Sequence, residues 1–272
     1  MAALFASDSW RQADAWFSLL PVVVGFSLLS SAGYIFNDIR NVDEDRSHPR
    51  KRLRPLAKRE LKIGEAYLGF WVVVVLGLMV LFSGSMLIEY GIIVVMSGLL
   101  YLSLTLAYST FFRGWAYVDV FILAFGFVLR VMGGSYAINL NPTWWIIAIT
   151  YFLAVMLGFG KRLGETKLVG AFAFENGETR RALRKYSPTL LRKLVTLSAF
   201  IILGTHLAYS LAVRCVHSFY IFTNIPVIAG IFAYLRLAWR TDEVEMPEKL
   251  FFKNWVLLLS VICWLAIVMV TR

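Results

Sequence analysis

The sequence predicts an all-α polytopic membrane protein, and three observations carry that prediction. Of 272 residues, 59% are hydrophobic and only 16% charged, against about 45–50% and about a quarter in soluble domains. The apolar residues fall into runs of the roughly 17–25 residues that a helix needs to cross a bilayer. The basic residues gather at alternate ends of those runs.

Eight runs qualify, at about 14–36, 65–83, 88–108, 117–137, 143–160, 190–213, 219–238 and 253–271. They leave little chain for a separate soluble domain, so residues 1–272 read as one integral membrane domain. Met1–Trp10 has no basic start followed by an apolar core and a small-residue cleavage site, so the helices themselves are expected to direct insertion. Cys215 and Cys263 lie at or inside apolar runs without metal-type spacing and read as small hydrophobes.

The net charge of +10 is informative once it is mapped onto the connections. Nine Lys and Arg follow the first run, and one, Arg113, follows the third. Another nine follow the fifth, counting Arg192 and Lys193 at the start of the sixth, and four flank the seventh connection. The opposite connections hold only Arg214. By the positive-inside rule the basic loops are cytoplasmic, and an eight-helix chain then has both ends outside. The same rule explains the bases without a nucleic-acid partner.

Topology alone does not explain the acids in "NDIRNVDEDRSHPRKRLRP", residues 37–55. The first helix is expected to continue through Asn37 until His48-Pro49 stops it. Asp38, Asn41 and Asp45 then fall at i, i+3 and i+7 on one face, with Asn37 beside them. Oxygen ligands on one face suit a hard cation. Mg²⁺ is held by one or two carboxylates while waters and substrate phosphates complete its octahedron. Carboxylates beside Arg46, Arg50, Lys51, Arg52 and Arg54 make chemical sense if a metal bridges the acids to a diphosphate and the bases hold the remaining anionic oxygens.

A second cluster opens after the fifth run as "GKRLGETK", with Lys161 and Glu165 at i, i+4 and Arg162 between them. By itself it is also what an interfacial helix with snorkelling bases looks like. Its interest is its place on the same membrane side as the first cluster. Two charges lie inside the fourth run, Asp119 and Arg130. An intramembrane charge costs about 2.5–3.5 kcal/mol on insertion scales and usually faces a bundle interior or aqueous cavity. Asp119 is near enough to the interface to be solvated, whereas Arg130 is expected to be functional or structurally paired. His206 reads as a hydrogen-bonded packing residue. There is no phosphate-binding glycine loop, no His-rich metal pattern and no nucleophile elbow, so the chemistry should need no protein nucleophile.

The 37–55 motif resembles the first Asp-rich motif of the UbiA superfamily of intramembrane prenyltransferases. It is closest to the decaprenyl-phosphate phosphoribosyltransferase branch, whose pattern runs N-D-x-R-D-x-x-x-D-R-x-H-P-x-K-R-x-R-P. The resemblance continues through "LAYS" at 106–109, "FVLRVMGG" at 127–134, "GKRLGE" at 160–165 and "YSPTLLRKL" at 186–194. It implies a bundle of nine helices around a central cavity with a cytoplasmic active site in the plasma membrane. The branch resembled moves 5-phosphoribose from phosphoribosyl diphosphate to a polyprenyl phosphate lipid, releasing diphosphate, with Mg²⁺.

Carried over by that resemblance, Asn37, Asp38, Asn41 and Asp45 are the expected metal group, and Asp38, Asp45, Lys161, Arg162 and Glu165 the expected catalytic set. Asn37, Arg46, Lys51, Arg54, Arg130 and Tyr186 are the expected substrate contacts. Two departures stand out: the middle Asp of the pattern is Asn41 here, and the family's first helix has no counterpart in the sequence, giving eight helices for nine. Two other readings stay open. One is a conventional prenyltransferase acting on an aromatic or haem acceptor, the other a transporter or lipid-binding protein with merely interfacial clusters. Lipid chain length and oligomeric state, a homo-oligomer included, also stay open.

Overall fold

The computed structural model describes residues 11–47, 51–86, 88–176, 185–213, 218–241 and 243–271. Ten helices follow one another: α1 Ala13–Arg40, α2 Val42–Ser47, α3 Ile63–Ser85, α4 Gly91–Thr110, α5 Val118–Ala137, α6 Trp144–Asn176, α7 Pro188–Val213, α8 Asn224–Arg240, α9 Pro247–Lys253 and α10 Trp255–Thr271. Short 3₁₀ turns lie at Lys51–Leu53, Phe112–Gly114, Ser218–Thr223 and Glu243–Glu245, and the described residues form no strand. Seven helical stretches are long and apolar enough to cross a bilayer, and α10, at 17 residues, is a shorter apolar eighth. The protein is an integral membrane protein.

The eight expected spans all appear, with two changes at their ends. Helix α6 does not stop at 160 but runs on to Asn176. Hydropathy falls at Lys161, but Leu163, Glu165 and Lys167 are good helix formers and no proline intervenes. Helix α1 ends at Arg40, where Asn41 leaves helical geometry at φ −111°, ψ 13°, and α2 restarts at Val42. The turn is slight, because Asn41 and Asp45 still bond backbone carbonyls four residues back. The expected stop at His48-Pro49 lies outside the described residues.

Large apolar side chains such as Phe17, Leu68, Trp71, Ile92 and Phe232 are exposed around the bundle, as a lipid-facing surface requires. Between helices, where lipid offers no hydrophobic contrast, close approach depends on small residues. Gly25 and Gly98 both accept Leu81 of α3, Gly77 accepts Leu28 and Leu29 of α1, and Gly84 sits against the ring of Pro21. Two groups of buried side chains are larger than the rest. Leu19, Val22, Phe26 and Leu29 of α1 join Leu81, Val94, Tyr101 and Leu129, while Phe159 and Leu163 of α6 join Leu191, Val195, Tyr234 and Leu235. Helix α5 serves both, with Val120 and Ala124 in the second group and Leu129 and Ala137 in the first. It is therefore the helix that holds the two charged clusters in register.

His206 is buried as expected, its Nε2 3.1 Å from Thr223 Oγ1. The Thr223 hydroxyl donates to the Tyr220 carbonyl at 2.6 Å, so its lone pairs are what His206 meets. Cys263 is a free thiol on the exposed face of α10, and Cys215 lies outside the described residues.

Candidate active site

The polar end of the bundle gathers the C-terminal end of α1, helix α2, the 112–114 turn, the start of α5 and the middle of α6. Contacts across loops show that these ends lie together. Arg113 Nη2 reaches Glu44 Oε2 at 3.1 Å, and Lys167 Nζ donates to the Ala238 and Thr241 carbonyls at 2.9 and 2.8 Å, capping the end of α8.

In the first cluster Asp38 and Asp45 converge as their spacing predicts, and they converge on a cation. Arg54 Nη1 lies 2.5 Å from Asp38 Oδ1 and 2.8 Å from Asp45 Oδ2. Asp45 is almost fully buried, whereas the side chains of Asp38 and Arg54 are about one-third exposed, at 29% and 35%. Asn41 does not face the same centre with its nitrogen end: Nδ2 donates to Asn37 Oδ1 at 2.8 Å and to the Asn37 carbonyl. Asn37 and Asn41 are thus tied to each other, one helical turn apart. Asp43 cannot stand in for the missing acid, because it is 87% exposed and pairs with Arg46 at 2.7 Å. That pair also turns Arg46 outward. Lys51 lies in the Lys51–Leu53 turn, its side chain outside what is described.

A divalent cation fits the first cluster on the evidence of Arg54 itself. Two carboxylates already share one positive centre there, and Mg²⁺ needs no more protein ligands than that. Among the described residues no three acidic, His or Cys side chains gather as a complete metal cage.

The second cluster corrects two sequence expectations. Asp119 is not a solvated interfacial residue: it is 2% exposed. Arg162 is not an open cation: Nη2 and Nε reach Asp119 Oδ2 at 2.7 and 3.0 Å, and Nη1 reaches Glu165 Oε2 at 2.8 Å. Tyr108 OH lies 3.3 Å from Nη2, and Tyr186 OH donates to the other oxygen of Asp119. Burial, and then that hydrogen bond, push the Tyr186 phenol above its ordinary value, so it stays a donor. Glu165 and Tyr186 therefore act inside one buried network with Arg162, while Lys161 on the same helix is exposed.

The backbone that presents Asp119 is unusual. Tyr117 immediately before α5 has φ 69°, a left-handed conformation that costs a bulky residue of order 1 kcal/mol or more. Its hydroxyl accepts the Ser187 N–H at 2.8 Å, and its ring meets Tyr186 edge-on with centroids 4.9 Å apart. These contacts lock the start of α7 to the start of α5. Asp119, Tyr108 and Tyr117 join this cluster, although sequence reasoning did not assign them to it. The available signals were an acid near a span end and a tyrosine inside "LAYS".

A comparison with protein families matches residues 1–267 to the UbiA prenyltransferase family. The chain belongs to the UbiA prenyltransferase family. As such it is a transferase, and its relatives refine the picture. It is 31% identical to the decaprenyl-phosphate phosphoribosyltransferase of Mycobacterium tuberculosis strain H37Rv, across 98% of this chain and 86% of that one. It is likewise 31% identical to the protein of that name in Corynebacterium glutamicum, across 69% and 56%. Among solved structures, a UbiA homolog from Archaeoglobus fulgidus bound to GPP and Mg²⁺ superposes with a TM-score of 0.67 at 16% identity, covering 93% of this chain and 88% of that one. At that identity the likeness establishes a common fold, so this UbiA-family chain has the bundle architecture that its helices suggest.

Proposed function

We propose that the protein transfers 5-phosphoribose from phosphoribosyl diphosphate to a polyprenyl phosphate, releasing diphosphate, with Mg²⁺ at Asp38 and Asp45 and the site facing the cytoplasm of a plasma membrane. The names of its Mycobacterium and Corynebacterium relatives support this reading. So does the inequality of the two clusters. In each, an arginine bridges two carboxylates, but Arg54 is about one-third exposed and displaceable, while Arg162 is 14% exposed and held by Asp119, Glu165 and Tyr108. Only the first cluster can open to a metal. An ordinary prenyl donor needs metal ligands on both sides of its diphosphate, and the second cluster here is already filled by a guanidinium.

In the mechanism proposed, Mg²⁺ bound at the first cluster would neutralise diphosphate oxygens and draw charge toward the leaving group. Arg54, released from Asp38 and Asp45, turns to the same oxygens, and exposed Lys161 faces the donor's other phosphate. A lipid phosphate monoester is mostly ionised at pH 7, its second pKa being near ~6, so no general base is required. One of its oxygens donates an electron pair to the anomeric carbon from the face opposite the diphosphate. The carbon–oxygen bond to diphosphate breaks with its electron pair. Catalysis is then positioning and charge stabilisation.

The test incubates purified protein with labelled phosphoribosyl diphosphate and a polyprenyl phosphate. Label is expected in the lipid phase with Mg²⁺ and not with EDTA, and Asp38→Asn should lower the rate by orders of magnitude. Turnover of geranyl diphosphate with an aromatic acceptor, and none of phosphoribosyl diphosphate, would establish the prenyltransferase reading instead.

A further inference from the structure

Among the described residues Arg130 is a charge without an acidic partner. It sits twelve residues into α5, about 18 Å along the helix from its start at the polar end. Its Nη2 donates to Ser30 Oγ of α1 at 2.6 Å and to the hydroxyl of Tyr101 of α4. Its guanidinium carbon lies 4.7 Å from the Tyr101 ring centroid and 5.2 Å from that of Phe127. All of these partners are neutral. The ion pairs of the described residues engage Arg46, Arg54, Lys58, Arg113, Arg162 and Lys253, not Arg130.

The guanidinium lies inside a membrane-spanning helix, where a charge is costly to bury. If Arg130 only joined α1, α4 and α5, a neutral amide would do so without that cost. Arg130 is also not sealed in: it is of intermediate exposure, and Phe127 one turn earlier is 49% exposed. A fixed cation with neutral hydroxyls around it, open on one side to apolar surroundings, is a receptor for an anion that carries an apolar tail.

We propose that Arg130, with Ser30 and Tyr101, holds the phosphate of the lipid acceptor. This rests on the function proposed above and supplies its missing half. Ser30 precedes Asp38 by eight residues on α1, about 12 Å deeper into the membrane. In-line displacement puts the entering oxygen opposite the departing diphosphate. With the diphosphate at Asp38 and Asp45, the acceptor phosphate comes from the bilayer side, where Arg130 is. The same position selects a lipid phosphate over a soluble one.

The experiment measures thermal stabilisation of the purified protein in neutral detergent, without Mg²⁺ or donor, by farnesyl phosphate, with farnesol and inorganic phosphate as controls. Wild type should show saturable stabilisation by farnesyl phosphate alone. Arg130→Met should weaken it at least about tenfold, the loss of charge-assisted hydrogen bonds. Arg130→Lys should recover part. Equal titrations for Arg130→Met and wild type, or stabilisation by inorganic phosphate as strong as by farnesyl phosphate, overturn the proposal. Should Arg130→Met not fold, Tyr101→Phe decides: a several-fold weaker titration supports the subsite and an unchanged one refutes it. A chain that binds farnesyl phosphate through Arg130 but ignores phosphoribosyl diphosphate would refute the donor assignment and leave the subsite standing.

Discussion

Arg54 and Asp45 form an ion pair of 2.8 Å in which the carboxylate is buried and the guanidinium is about one-third exposed. The same nitrogen of Arg54 touches Asp38. A cation that can leave is therefore seated between two acids that cannot easily do without one, since a buried uncompensated carboxylate is costly.

The first prediction follows from that competition. Arg54→Ala should bind Mn²⁺, used as a paramagnetic probe, more tightly than wild type when no donor is present, because no guanidinium has to be displaced. The same variant should have a raised Michaelis constant for the donor, having lost a phosphate contact. Mn²⁺ affinity equal to or below that of wild type would show that Arg54 does not occupy the metal's place.

Arg162 belongs to the catalytic set that the family resemblance implies, and an open cation there would serve to grip the remote phosphate of a soluble donor. Its pairing with Asp119 and Glu165 changes the expectation. Removing it leaves the buried carboxylate of Asp119 without its cation, and breaking such a pair typically costs about 3–5 kcal/mol. Thermal unfolding in detergent should show a large loss for Arg162→Ala and a smaller one for Arg162→Ala combined with Asp119→Asn. If Arg162→Ala melts with wild type while donor use weakens, the soluble-donor role is restored.

The hydroxyl of Tyr234 is buried against Gly160 and has no hydrogen-bond partner among the described residues. A Cβ at Gly160 would overlap it. Gly160→Ala should therefore lose about 1–3 kcal/mol of stability through overpacking. Tyr234→Phe should be neutral or slightly stabilising, because it removes an unsatisfied polar group, and it should rescue part of the Gly160→Ala loss. Additive effects in the double variant would count against this packing account.

Sidedness gives a fourth prediction. The loop between α2 and α3 is on the basic side, and Lys58 in it is exposed. A cysteine at Lys58 should resist an impermeant thiol reagent in intact cells and react once the membrane is opened. Labelling in intact cells would invert the topology read from the positive-inside rule.

The sequence by itself determined the membrane class, the eight apolar spans and the face on which Asp38 and Asp45 meet. These follow from run length, periodicity and charge placement, all local along the chain. It also placed His206 in the packing. What it could not determine was pairing at a distance. Asp119 and Arg162 are 43 residues apart, and Arg130 meets Ser30 across 100; no local pattern says which charges will neutralise each other. The tertiary structure decided that Arg162 is held by Asp119 and Glu165, that Arg54 lies between Asp38 and Asp45, and that Arg130 has no acidic partner among the described residues. Helix packing does this by bringing α5 against α1, α4 and α6, and in a low-dielectric interior the resulting partners, rather than the residue types, fix what each charge can do.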